Sequence, residues 1–183
     1  MAGHSKKLGR SALLLVDFIN HFQFEDAEAL KPRAVKAARV VAKLKKEMAV
    51  TGHKTIYVND NFGKWNTEFS TLVNRCLAQG GASAEIAQLL RPTSKDLIVL
   101  KPRHSGFYGT PLEFLLQEIR VSTIVITGIV ADRCVIATAA DAHTRKFSLR
   151  VPANCVAGFS KKEEMAALSI MKHTMDADTH PYK

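Results

Sequence analysis

Cysteine is scarce, with three in 183 residues, at Cys76, Cys134 and Cys155. An odd number at wide spacing, with no CxxC pair, excludes a disulfide framework and a thiolate zinc site, and a reducing, cytoplasmic compartment is expected. Long apolar runs are missing as well. The ALLLV stretch that follows the basic N-terminus MAGHSKKLGR is too short for a signal core and is closed by Asp17, so no secretory or membrane-spanning segment is expected. Acidic side chains are in deficit, 17 against 26 Lys and Arg, giving a formal charge of +9. The lysines do not interleave with aromatics as a nucleic-acid platform requires. The charge therefore reads as a solvated basic surface, with no nucleic-acid or membrane partner. None of the seven histidines pairs at metal-ligand spacing, so no metal and no other cofactor is expected.

The remaining composition, 46% hydrophobic and 23% charged, is ordinary for a globular chain. At this length a core forms without staples, and with no repeat or low-complexity tract, residues 1–183 read as one domain. Ser11 to Asp17 is a near-continuous apolar run, the pattern of a strand buried on both faces. Pro32 suits the first turn of a helix whose apolar positions Val35, Ala38, Val41, Ala42 and Leu44 share one face, and Gly52 stops it. Thr55 to Asn59 is a second strand. Asp60 to Gly81 is less regular and reads as a loop, Ser83 to Leu90 as a short helix, and Asp96 to Leu100 as a third strand delivering Lys101. Thr110, Pro111 and Glu113 form a capping-box signature for a helix through Ile119. Thr123 to Thr127 is the fourth strand, broken by Gly128. Cys134 opens the next helix, Ser148 to Val151 is a fifth strand, Lys161 to Lys172 a last helix, and a sixth strand is only weakly marked. Alternating strands and helices make an α/β fold with a mostly parallel sheet of five to six strands.

Such sheets bind ligands beyond the carboxyl ends of their strands, and Asp17, Lys101 and Cys134 all occupy such ends. Cys134 also sits at a strand-to-helix junction, where unpartnered amides favour a thiolate. Lys101 is expected to lower the thiol pKa further, and Asp17 to take and return protons. Each residue alone has a plain structural explanation: a buried core thiol, a solvated lysine, a loop-capping carboxylate. Together they fit a nucleophile, a cation and an acid-base group. Phe18, Asn20, Trp65, Arg103, His104, Phe107 and Tyr108 flank the crevice and are candidates to shape it or bind substrate. Arg103 would suit an anionic group or pair with a nearby acid. Asp141, His143 and Arg145 are assigned to structure.

The stretches ALLLVDFINHF, YVNDNFGKW, LKPRHSGFYGTPLE, TGIVADRCV and VPANCV, spread over nearly the whole chain, resemble the isochorismatase-like cysteine hydrolases, which include nicotinamidases and other amidohydrolases. The resemblance implies a Rossmann-like three-layer α/β/α sandwich, a homodimer or larger homo-oligomer, and a catalytic triad of Asp17, Lys101 and Cys134. It also implies a cis peptide between Ile129 and Val130 that turns the Val130 amide toward the Cys134 amide as an oxyanion hole. Ala131 departs from the Thr often found at its position. The implied activity is hydrolysis of an amide or carbamoyl C–N bond of a small molecule through a thioester, with Asp17 protonating the amine and activating water. Asp60 is followed by Phe62 where nicotinamidases carry a metal-binding His, so nicotinamide is a poor first candidate. Two alternatives are a vinyl-ether hydrolase, in which Cys134 is dispensable, and a non-catalytic binding or scaffold protein on the same fold.

Overall fold

The structure, a computed structural model, describes residues 10–183; the basic N-terminal stretch read above lies almost wholly outside the described residues. In chain order it runs β1 (Arg10–Val16), α1 (Ala27–Val50), β2 (Lys54–Asp60), α2 (Phe69–Gln79), α3 (Gly81–Leu89) and β3 (Leu97–Lys101). There follow α4 (Leu112–Glu118), β4 (Val121–Ile129), a π-helical turn (Ala131–Val135), α5 (Ile136–Thr144), β5 (Ser148–Arg150), β6 (Val156–Ala157) and α6 (Lys161–Thr174).

The strands form one six-stranded sheet in the order β3-β2-β1-β4-β5, with β6 also pairing β4. Every pairing is parallel. Apolar residues alternate to both faces, as continuous hydrophobic strands require. Leu13, Leu15 and Tyr57 pack on one face with buried residues of α1, α2 and α3. Ala12, Leu14, Val16, Ile56 and Val58 pack on the other with α4, α5 and α6. The result is the three-layer α/β sandwich, and among the described residues no helix is long and apolar enough to cross a membrane.

Several local expectations change. Pro32 lies inside α1 rather than at its start. The turn before it buries Ala27 and Leu30, a gain of about 2–3 kcal/mol that matches the roughly 3 kcal/mol cost of an interior proline. The stretch read as a loop from Asp60 to Gly81 contains α2, which buries Phe69, Leu72, Val73 and Cys76 at helical spacing. The capping box does not close. The Thr110 hydroxyl accepts from the Leu112 amide at 3.2 Å, while the Glu113 carboxylate turns to Arg145 at 2.8 Å.

Gly128 does not end β4, which continues to Ile129. Its φ is +140°, and a Cβ built there would stand 2.2 Å from the Val16 carbonyl oxygen. Only glycine lets β4 pass the end of β1 this closely. Gly128→Ala is expected to cost more than about 4 kcal/mol, because a backbone atom cannot step aside. Urea unfolding measures this, and an unchanged midpoint would show that the crossing relaxes.

Candidate active site

In the strand order, β1 connects outward to β2 on one side while the chain returns from β3 to β4 on the other. The carboxyl ends of β1 and β4 thus flank a topological switch point, where a crevice opens. Asp17 follows β1 with φ +53°, in the left-handed region unusual for a residue with a side chain. It is held there by its amide, which donates to the Val58 carbonyl at 3.1 Å. The next residues are clamped by Asn59, whose side chain accepts from the Ile19 amide at 3.2 Å and donates to the Ile19 carbonyl at 3.0 Å. Cys134 lies in the π-helical turn after β4, and the Ile129–Val130 peptide preceding that turn is cis.

Lys101, the last residue of β3, is fully buried. Its Nζ lies 2.8 Å from Asp17 Oδ2 and 3.7 Å from Asp60 Oδ2. The same ammonium donates to the Arg103 carbonyl at 3.1 Å and to Cys134 Sγ at 3.5 Å. Asp17 Oδ1 accepts from the Asp60 amide at 2.7 Å. Asp17 is 5% exposed and Cys134 9%. The three residues read from strand ends are therefore in one cluster, with a fourth, Asp60, at the end of β2.

Burial dominates the electrostatics. It pushes the Asp17 carboxyl above the usual carboxylate range, although Lys101 pulls the other way. Burial would lower Lys101, but the charges of Asp17, Cys134 and Asp60 outweigh it and the ammonium is held more firmly than usual. The Cys134 thiol is pushed up to about 12 by burial and by the Asp17 charge, with Lys101 offsetting only part. Lys101 does lower the thiol, as expected, but burial first and the Asp17 charge second outweigh it, so the net shift is upward rather than toward a thiolate. Burial alone raises Cys76 to about 11, and burial raises Cys155 to about 12 although Arg150 pulls the other way. What distinguishes Cys134 is its neighbours.

The flanking residues have varied positions. Phe18 and Phe107 are buried in the cores on opposite faces of the sheet. Asn20 closes a turn, its Oδ1 accepting from the Phe22 amide at 2.7 Å. Trp65 is 81% exposed and Tyr108 63%. Arg103 contributes its carbonyl to Lys101, and its side chain is exposed with no ion pair among the described residues. His104, also exposed, places Nδ1 3.5 Å from Cys134 Sγ. Asp141 and Arg145 do serve structure. Asp141 accepts from the Ser105 hydroxyl and from Arg145 at 2.9 Å, and Arg145 lies 4.8 Å over the Phe107 ring.

A buried carboxylate, lysine and thiol thus gather at the switch point of a three-layer α/β sandwich, and the class of protein is a hydrolase. The chain belongs to the isochorismatase family: the Isochorismatase domain model matches residues 11–179. An uncharacterized isochorismatase family protein of Bacillus subtilis, YaaI, is 35% identical over 167 residues, 91% of each chain. The ureidoacrylate amidohydrolase RutB of Methylorubrum extorquens is 38% identical over 73 residues, 40% of this chain and 29% of its own. Among solved structures, N-carbamoylsarcosine amidase from Thermoplasma acidophilum superimposes with a TM-score of 0.73 at 27% identity, covering 94% of this chain and 96% of its own.

Two outcomes follow from the charges. Asp17→Asn removes a negative charge that raises the thiol and leaves Lys101 in place, so the Cys134 ionisation moves down from about 12. Alkylation rate against pH, peptide by peptide, reads the shift, with Cys76 and Cys155 as internal references. Lys101→Met strands the buried Asp17 carboxylate and is expected to cost about 3–5 kcal/mol, most of it recovered by adding Asp17→Asn. Chemical denaturation of both variants checks this.

Proposed function

We propose that the chain is a cysteine-dependent hydrolase that cleaves the C–N bond of a small amide or N-carbamoyl compound through a thioester, with Asp17, Lys101 and Cys134 as its triad. The observation that carries this is the single ammonium of Lys101 within 2.8 Å of a carboxylate and 3.5 Å of a thiol. With the thiol pushed up to about 12, the resting nucleophile is protonated and needs a base at the moment of attack. Asp17 is that base, and burial gives its carboxylate the proton affinity the task requires.

The cycle begins as Asp17 takes the thiol proton and Sγ attacks the substrate carbonyl carbon. The oxyanion is met by the amides of Val130 and Cys134. As the C–N bond breaks, Asp17 passes its proton to the departing nitrogen, leaving an acyl group on Sγ. Water then attacks the thioester carbonyl, Asp17 accepts its proton and returns it to the leaving sulfur. Lys101 stays charged throughout and holds Asp17 in place. Relatives named for ureidoacrylate and N-carbamoylsarcosine, both bearing carbamoyl nitrogen, favour that substrate class. Arg103, exposed without an ion-pair partner among the described residues, is the group to meet a substrate carboxylate.

A panel of small amides, ureas and carbamoyl amino acids tests the proposal. Cys134→Ala is expected to lower turnover of any hit by about 10³-fold or more, and acid quenching of the wild type to trap an acyl mass on the Cys134 peptide. Full activity of Cys134→Ala on a vinyl ether such as isochorismate, with loss in Asp17→Asn, would instead support vinyl-ether hydrolysis.

A further inference from the structure

Nothing in the proposed cycle uses His104, yet its position is closely held. The turn that carries it is fastened on both sides. Before it, the Lys101 ammonium holds the Arg103 carbonyl at 3.1 Å. After it, the Ser105 hydroxyl bonds Asp141, and the Gly106 amide donates to Thr138 Oγ1 at 3.0 Å. Thr138 in turn bonds the Cys134 carbonyl at 2.7 Å, so the histidine turn and the nucleophile turn share one anchor. The outcome is an exposed imidazole with Nδ1 3.5 Å from Sγ and no other hydrogen bond or ion pair among the described residues. The sulfur therefore has two proton acceptors at different depths, buried Asp17 and exposed His104. The other charged groups about them are Lys101, Asp60 and Arg103.

These acceptors suit different leaving groups. Amide cleavage needs the departing nitrogen protonated, which requires the group that received the thiol proton to lie beside it. An aryl ester with a stable phenolate has no such need. We infer that Cys134 and His104 form a thiol–imidazole pair that hydrolyses activated aryl esters independently of Asp17. This rests on Cys134 being the nucleophile of the proposed function.

In this second activity the thiol proton passes to His104 Nδ1 as Sγ bonds to the ester carbonyl carbon. The C–O bond breaks and the phenolate leaves with the electron pair. The imidazolium releases its proton to solvent, to which it is open. His104 then takes a proton from water as the water oxygen attacks the thioester. The C–S bond breaks, and the sulfur recovers its proton from the imidazolium. The net reaction is ester plus water to carboxylic acid plus phenol.

Release of p-nitrophenolate from p-nitrophenyl acetate by the full chain tests this. Asp17→Asn is expected to keep ester turnover within about tenfold of wild type while its C–N hydrolysis falls by about 10²-fold or more. His104→Ala is expected to lower ester turnover by about 10²-fold. Added imidazole should restore it, beyond the rate imidazole gives without protein, only where Cys134 is present, a rescue that a purely structural histidine would not show. Because His104 is exposed, this variant keeps the test decisive even if Asp17→Asn does not fold. Loss of ester and C–N hydrolysis together in a folded Asp17→Asn, or an unmoved ester rate in His104→Ala, overturns the pair while leaving the cysteine mechanism intact. Undiminished ester turnover in Cys134→Ala overturns the pair, and undiminished C–N hydrolysis in that variant overturns the cysteine mechanism as well.

Discussion

The ion pair between Lys101 and Asp17 is the constraint on which the rest depends. A lysine with no exposed surface loses several kcal/mol of hydration, recovered only if its partners stand at hydrogen-bonding distance. Those partners come from separate strands, so the ends of β1, β2 and β3 must finish level. The ladders achieve this: Val16 pairs with Val58, and Asp60 with Lys101. A slip of one residue in β3 would turn Lys101 to the opposite face. Sheet register and site geometry are thus one requirement, met by the same hydrogen bonds.

The turns beyond the strands are fixed just as firmly. Asn59 grips the backbone after Asp17, Gly128 allows β4 to cross Val16, and Thr138 ties the nucleophile turn to the turn of His104. Each fastening uses a short polar side chain or a missing one, acting on backbone. This gives the reacting side chains their positions without a disulfide as a brace. It also leaves the imidazole of His104, which the scaffold does not consume, beside Cys134.

Much of this is legible in the sequence because apolar runs and strand ends are local signals. β1, β2, β3 and β4 are visible as β-branched or leucine-rich stretches, and Asp17 and Lys101 declare themselves by ending two of them. What the sequence conceals depends on partners far along the chain. Helix α2 is masked because its buried face, Phe69 through Cys76, is interleaved with polar residues that look like a loop. Gly128 reads as a breaker because its contact, the Val16 carbonyl, lies on another strand. Glu113 resembles half of a capping box until Arg145 is brought beside it. The thiol is misjudged because the helix start and Lys101, both of which favour a thiolate, are visible in the sequence, whereas its burial and the nearness of the Asp17 charge come only with the fold. His104 is seen as a flanking residue, but no spacing rule relates it to Cys134.

The two borders of the sheet are finished differently. Beyond β5 the chain returns and lays Asp178 alongside, its amide donating to the Leu149 carbonyl at 2.9 Å and its carbonyl accepting from Val151 at 2.8 Å. Beyond β3 no strand follows among the described residues. The carboxyl-terminal return of the chain thus occupies backbone groups of β5 that an edge strand would otherwise leave unpaired, so the two borders of the sheet differ in how much backbone they offer to another strand.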